Sequence, residues 1–274
     1  MGVRAKWVGL LLGAVLSAAC SDATDWLGAV TGIEGASARD ERRAMLANDT
    51  TIMSENFDAY TSASQLGARQ GDLQLVDGHG GTGKAVRFWY AVGQLDSWLE
   101  RAFAPRGDLY VSFYYRTQAG ANPVAGTTGG LDWLSMFRTD GVVHRFAVAR
   151  AESAPTAAPE FSVSTTVGGE SSRPLLQNVR KTPRFGTTND DGWHHFVAHA
   201  VTGAGGYERV WVDGTRVLDT KGRSGGPPGA GIGRIRLPGK LAATAAFYLD
   251  VDDLRVWTAP SGRRGVRAPV APPS

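Results

Sequence analysis

One predicted strand carries an aromatic and basic set of side chains that could do acid–base chemistry. Alternation along DLYVSFYYRT places Tyr114 and Arg116 on the same face of that strand. A tyrosine or histidine can abstract the C5 proton of a uronate sugar while an arginine neutralises its carboxylate, and no compact motif is required. Tyr114 and Arg116, with either His144 or His199, therefore form a candidate catalytic set for β-elimination on a polysaccharide.

Two other motifs do not support the chemistry that they suggest. The run from Gly78 to Lys84 has phosphate-loop spacing, but Ala85 replaces the magnesium-binding hydroxyl and a strand follows instead of a helix, so a nucleotide site is excluded. His195 and His199 are four residues apart, which on a strand separates them by roughly 13 Å, too far to share one zinc ion.

Sugar binding without catalysis requires aromatic faces flanked by planar hydrogen-bonding groups. The chain has eight tryptophans, and we expect Trp193 and Trp257 to lie in the core. The candidate carbohydrate-binding residues are Arg87, Trp89, Tyr114, Arg116, Trp133 and Arg138.

The start of the chain has the pattern of an export signal. Basic residues precede an apolar run that ends in small residues before Cys20, which is the only cysteine. LSAAC resembles a bacterial lipobox, although Ser17 stands where an aliphatic residue is usual. The resemblance implies a signal peptide over residues 1–19, lipidation of Cys20 and attachment to the cell envelope, with Ser21 favouring the outer membrane.

Charge gives little reason to expect nucleic acid as a partner. The full chain has a net charge of +3, and two basic residues leave with the signal, so the mature chain carries 27 minus 26, or +1. The remaining excess lies in a Pro-rich basic tail over residues 259–274, which we predict to be disordered.

Residues 20–51 are rich in Ala, Gly, Asp and Thr and are predicted to be a tether, whereas residues 52–258 are predicted to form one domain. Short alternating or aromatic runs separated by turn residues indicate an all-β domain. Ten such runs favour two stacked antiparallel sheets. Asp213-Gly214 predicts a two-residue type I′ hairpin turn. The predicted strands are KAVRFWYAV, SWLERAFA, DLYVSFYYRT, DWLSMFRT, HRFAVARA, EFSVSTTV, WHHFVAHAV, ERVWVDGTRVLDT, GRIRL and AFYLDVDDLRVW.

The order of these segments resembles the concanavalin A-like, or laminin-G-like, family. The resemblance is carried by GHGGTGKAVRFWY, by DGWHHFVAHAVTGAGGYERVWVDGTRV and by AFYLDVDDLRVW, and it spans residues 55–257. It implies a jelly-roll β-sandwich. Many such domains hold a structural calcium ion, for which Asp58, Asp250 and Asp252 would be the ligands, and no other cofactor is expected.

The resemblance specifies function poorly, because lectins, hydrolases, lyases and adhesion modules share this fold. The E-x-D-x-x-E hexapeptide of the related retaining hydrolases is absent from the sequence. We expect an envelope lipoprotein that binds a polysaccharide or envelope glycan without catalysis. A polysaccharide lyase is the alternative, and a structural or protein-binding module is the third possibility.

Overall fold

The computed structural model describes residues 50–93, 97–117, 131–149, 160–166, 174–180, 192–203, 205–220, 230–238 and 246–258. The predicted signal peptide, Cys20, nearly all of the tether and the predicted tail lie outside these ranges. Among the described residues, no helix is long and apolar enough to cross a membrane.

The described part of the chain forms two antiparallel sheets, as predicted. Across the first sheet the strands are β13 (Thr215–Asp219), β12 (Tyr207–Val212), β11 (His194–Val201), β6 (Asp108–Thr117), β15 (Phe247–Thr258), β4 (Lys84–Tyr90) and β3 (Asp72–Asp77), and β1 (Thr50–Glu55) also pairs with β15. Across the second sheet they are β10 (Pro174–Arg180), β9 (Glu160–Thr166), β8 (Val143–Ala149), β7 (Leu131–Arg138), β14 (Ile232–Leu237), β5 (Trp98–Arg106) and β2 (Arg69–Gln70). Short 3₁₀ turns occupy Ala63–Leu66 and His79–Gly81.

The core lies between the sheets and is built by strand alternation. In β6, Phe113 and Tyr115 point inward. Phe113 stacks on Phe196 of β11, with ring centroids 4.8 Å apart, and Tyr115 meets Trp133 of the opposite sheet at 4.5 Å. The alternate residues of β6, including Tyr114 and Arg116, are thereby directed to the outer face of the first sheet.

A buried polar pair also crosses the interior. His144 Nδ1 of β8 lies 2.5 Å from Glu208 Oε1 of β12, and both side chains are fully buried. The Thr220 hydroxyl donates to Glu208 Oε2 at 3.1 Å. This position corrects the expectation that His144 belongs with Tyr114, because β8 is a strand of the second sheet and its alternation directs the imidazole into the core, away from the outer face of the first sheet.

The predicted hairpin at Asp213-Gly214 is confirmed. Val212 pairs with Thr215 across a two-residue turn, and φ is 50° at Asp213 and 78° at Gly214, as a type I′ turn requires. The turn fixes the end of β12 beside β11.

A β-bulge interrupts the alternation of β15. Asp252 pairs with Tyr114, whereas Arg255 pairs with Ser112, so β15 has one residue more than β6 over this interval. Asp253 supplies the extra residue and has a φ of 49°. As a result Asp252 faces outward on one side of the bulge, while Leu254 points into the core on the other.

Candidate functional site

A tyrosine and a histidine lie side by side on the outer face of the first sheet. His195 of β11 and Asp252 of β15 are the cross-strand partners of Tyr114, and the Tyr114 and His195 ring centroids are 4.8 Å apart. Tyr114 is 8 % exposed and His195 is 7 % exposed. Tyr114 Oη and His195 Nδ1 are both buried, and neither has a hydrogen-bond partner in the part of the chain that the structure describes. A buried polar atom without a partner calls for an explanation, and a catalytic role is one such explanation.

A loop between β3 and β4 brings a second histidine onto the tyrosine. The His79 ring stacks on Tyr114, with centroids 3.8 Å apart and planes 13° apart, and its edge contacts Trp193. The bulge in β15 holds this loop: the His79 N–H donates to Asp252 Oδ2 at 2.7 Å, and His79 Nδ1 lies 3.9 Å from Asp253. His79 therefore covers Tyr114 from the solvent side.

The next row across the sheet is basic. Arg116 of β6 and Arg87 of β4 flank Asp250 of β15, whose carboxylate is fully buried. Arg87 Nε lies 2.7 Å from Asp250 Oδ1, and Arg116 Nη2 lies 2.8 Å from Asp250 Oδ2. Because two guanidinium groups share one carboxylate, the three side chains keep a net positive charge beside Tyr114.

Burial sets the protonation states of the central pair. Desolvation lowers the pKa of His195 from 6.5 to about 4, although nearby Asp213 opposes the shift. Burial raises the pKa of Tyr114 above its ordinary value of 10.0, with further raising by Asp253 and Asp213. At neutral pH the imidazole is therefore an uncharged proton acceptor and the phenol is a proton donor, which are the states that a base and an acid need.

The hairpin turn at the end of β12 supports His195. Asp213 Oδ1 accepts the His195 backbone N–H at 2.8 Å, and its Oδ2 lies 2.7 Å from His194 Nδ1. On the other side of Tyr114, burial raises the pKa of Asp252 to about 6, although the His79 and Asp253 N–H groups favour its ionised form. The site is thus lined by acidic groups in two different environments.

The structure brings together only part of the predicted catalytic set. Tyr114 and Arg116 lie on one face, as alternation predicts. His199 lies on the same face but stacks on Tyr110, with centroids 3.7 Å apart, and hydrogen-bonds to Asp108 at 2.8 Å.

Sequence reasoning did not single out His79 and His195, the two histidines that contact Tyr114. In the sequence, His195 suggests only a metal ligand, and His79 is part of a glycine-rich turn. The signal that could have found His195 is its position in β11, which pairs with β6 in a register that the sequence does not reveal.

Four of the six predicted carbohydrate-binding residues share the outer face of the first sheet: Arg87, Trp89, Tyr114 and Arg116. Trp133 does not, because it is 1 % exposed and packs in the core, where no sugar could reach its ring. Arg138 lies on the second sheet, where it forms an ion pair with Asp140 at 2.6 Å.

Trp193 and Trp257 were both expected in the core. Trp193 is only partly buried and contacts His79 and Arg116 on the outer face, so its predicted core position is wrong. Trp257 is buried, as expected, but in a second cluster on that outer face, where it stacks on Tyr110.

The three predicted calcium ligands are engaged in different interactions. Asp250 binds two arginines, Asp58 Oδ1 accepts the Lys84 N–H at 2.7 Å, and Asp252 accepts the N–H groups of His79 and Asp253. Within the described ranges, no group of three or more His, Cys, Asp or Glu side chains is placed to hold a metal ion. Calcium binding stays a prediction.

The fold and this outer-face site define a jelly-roll β-sandwich with a tyrosine–histidine pair beside an arginine-flanked carboxylate. No family model matches the chain, and no curated protein matches its sequence. Among solved structures, the alginate lyase Aly36B in complex with alginate trisaccharide is similar, with a TM-score of 0.56 and 15 % identity over 77 % of this chain and 98 % of that chain.

Another structure of Aly36B has a TM-score of 0.53 and 14 % identity, covering 76 % of this chain and 96 % of that chain. An endo-β-1,4-glucuronan lyase from the fungus Trichoderma reesei has a TM-score of 0.48 and 14 % identity over 76 % of this chain and 96 % of that chain. At such low identity, the likeness to Aly36B establishes the fold and leaves the activity to be argued from the site.

Proposed function

We propose that this protein is a polysaccharide lyase that cleaves a uronate polysaccharide by β-elimination. The observation that carries the proposal is the buried pair of Tyr114 and His195, whose Oη and Nδ1 atoms lack partners in the described part of the chain, next to the basic side chain of Arg116. A base, an acid and a cation for the substrate carboxylate are the three groups that this reaction needs.

In the proposed reaction Arg116 binds the carboxylate of the sugar and stabilises the negative charge that develops on it. His195 accepts the C5 proton, the electron pair of that bond forms the C4–C5 double bond, and the C4–O4 bond breaks. Tyr114 donates its phenolic proton to O4 of the leaving chain. The lowered pKa of His195 keeps its imidazole unprotonated at neutral pH, and the raised pKa of Tyr114 keeps its phenol protonated, so each group starts the reaction in the required protonation state.

The likeness to an alginate lyase bound to its trisaccharide supports this proposal over our initial expectation of binding without catalysis. It also supports an acidic polysaccharide as the partner. The substrate class proposed for this chain is a uronate polymer, because the Arg116–Asp250–Arg87 row retains positive charge.

The test is to incubate the protein with a panel of uronate polysaccharides, with and without calcium, and to follow absorbance near 235 nm, where the unsaturated product absorbs. We expect a rise for the wild type and a rate lowered roughly 10²–10⁴-fold in Tyr114→Phe and in His195→Gln. Tyr110→Phe is the matched control, because Tyr110 lies on the same face of β6 but stacks on His199 and Trp257.

A rise in absorbance that all three variants retain would contradict the assigned residues. No rise, together with retention of the protein on an insoluble uronate polymer, would contradict catalysis and restore the binding-only function. Neither a rise nor retention would favour the third possibility, a structural or protein-binding module.

We also propose that the domain is exported and attached to the bacterial envelope through lipidated Cys20. The signal-like segment and the lipobox-like LSAAC motif support this location. Such a location would place the enzyme where it meets extracellular or periplasmic polysaccharide.

A further inference from the structure

The second sheet has a cationic pocket on its outer face, on the side of the sandwich opposite Tyr114. Its volume is about 230 Å³, and it lies where β14 meets the end of β7. Arg138, Arg234 and Arg236 line it, together with Phe137 and the β7–β8 turn. None of the described residues that line it is acidic.

Packing holds two of these guanidinium groups in place. The Arg234 guanidinium lies 4.1 Å and that of Arg236 5.0 Å from the Phe137 ring centroid. Both also form ion pairs with the single carboxylate of Glu100, at 3.2 and 3.1 Å. A guanidinium has five N–H donors, and the hydrogen bond from Arg234 Nη1 to Glu100 Oε1 uses one of them, so Arg234 keeps donors for a ligand. Because the groups are already ordered, binding an anion costs little side-chain entropy.

The third guanidinium is fixed by the turn between β7 and β8. Arg138 Nε and Nη2 lie 3.1 and 2.6 Å from the two Asp140 oxygens, and Asp140 Oδ1 also accepts the Val142 N–H at 3.3 Å. This carboxylate is therefore engaged by the arginine and by the turn. The arginine-lined cavity is an arrangement that favours planar anions such as carboxylates.

We propose that this pocket is a second carbohydrate site, which binds the carboxylate of one uronate unit of the polymer. Arg234, which is 41 % exposed, is the group that the ligand reaches first. The small volume fits one sugar unit and not a long oligosaccharide. The choice of a uronate as ligand rests on the proposed function, whereas the anion-binding character of the pocket does not.

The test is isothermal titration of the full chain with a uronate trisaccharide, comparing the wild type with Arg234→Gln and with Arg216→Gln. Arg216 is a matched control, because it is an exposed arginine of the other sheet whose ion pair with Asp219 is also 3.2 Å long. We expect two binding events in the wild type and in Arg216→Gln, and a roughly tenfold weakening of one of them in Arg234→Gln.

The rate of elimination on the trisaccharide, followed at 235 nm, separates this proposal from the proposed function. An unchanged rate with one binding event weakened supports a site away from the reaction. If Arg234→Gln weakens one binding event but the wild type shows no elimination, the second site is supported and the proposed lyase activity is contradicted. Identical isotherms for Arg234→Gln and the wild type would overturn the second site, and equal competition by inorganic phosphate would overturn its assignment to a uronate.

Discussion

The His79 ring lies flat on the Tyr114 ring, with 3.8 Å between centroids. One ring belongs to a loop and the other to a central strand, so the cover over Tyr114 depends on how the loop is held. Two close approaches hold it. A Cβ at Gly78 would lie 2.6 Å from Asp252 Oδ2, and a Cβ at Gly83 would lie 2.2 Å from Asp58 Oδ1. The loop backbone therefore packs directly on carboxylates.

We predict that Gly83→Ala displaces the His79 loop and that Gly81→Ala does not. Both glycines have positive φ, 72° and 74°, so the conformational strain of alanine is similar at the two positions. Only the Gly83 methyl group would collide with Asp58, because nothing lies within 4 Å of a Cβ at Gly81. Elimination assays and thermal melting of both variants test this, and equal losses in the two would show that the close approach is unimportant.

The rate of elimination should depend on His195 at acid pH. Because kcat/KM reports groups of the free enzyme, its acid limb should have a midpoint near pH 4, the pKa of buried His195, instead of near 6.5. Asp213 raises that pKa, so Asp213→Asn should move the midpoint to lower pH, while asparagine tolerates the positive φ of the turn. A pH profile of both proteins measures this, and a limb near pH 6.5 would assign the base to another group.

Asp252 and His195 should have opposite effects on stability at mildly acidic pH. The pKa of Asp252 in the folded protein is about 6, above its ordinary 3.8. Its contribution to the free energy of unfolding is therefore fully present below pH 3.8 and is lost as the pH rises through 6. The folded pKa of His195 is about 4, below its ordinary 6.5, so its contribution is present above pH 6.5 and is lost as the pH falls through 4.

Asp252→Asn removes the first contribution and leaves the second. We therefore expect the melting temperature of the variant to rise more steeply between pH 4 and 6 than that of the wild type. Scanning calorimetry over this range measures the slope. Parallel curves would show that Asp252 has an ordinary pKa in the fold.

The pair of His144 and Glu208 should stabilise the sandwich without affecting catalysis. Both side chains are fully buried, so Glu208→Ala leaves an unpaired polar group in the core and should lower the free energy of unfolding by about 3–5 kcal/mol. Arg216→Ala, which breaks an exposed ion pair, should cost under roughly 1 kcal/mol. Chemical denaturation compares the two. Loss of elimination in folded Glu208→Ala would return His144 to the list of catalytic candidates.

Lipidation of Cys20 is testable in a bacterial host. The lipobox-like sequence predicts that the wild type incorporates a labelled fatty acid and fractionates with membranes, and that Cys20→Ser does neither. Export of a soluble, unlabelled wild-type protein would show that the segment is an ordinary cleaved signal.

Alternation predicted much of this molecule. The strands around Tyr114, Trp193 and Asp250 were predicted with nearly the correct bounds, and so was the hairpin at Asp213. The short strand β2 and the strands β1, β3 and β10 were not predicted. β3 has only three apolar residues, and β10 begins with a proline. Both give a weak period-2 signal.

The site was harder to predict than the strands, because it depends on register. His195 contacts Tyr114 only because β11 pairs with β6 at that position, although the two strands are separated by some eighty residues of sequence. His144 and His199 looked equally suitable in the sequence. His144 points into the core, where it contacts Glu208. His199 pairs with Tyr110, which is four residues from Tyr114 along β6.

The single extra residue in β15 shifts the numbering of the outward-facing positions by one along the strand. Before Asp253, even-numbered residues such as Asp250 and Asp252 face outward; after it, odd-numbered residues such as Arg255 do so. Deleting Asp253 would restore regular alternation: Leu254 would follow Asp252 directly, lie opposite Phe113 and still point into the core. The extra residue therefore serves the site and not the core: its backbone N–H donates to Asp252 Oδ1, and its carboxylate lies 3.9 Å from His79 Nδ1.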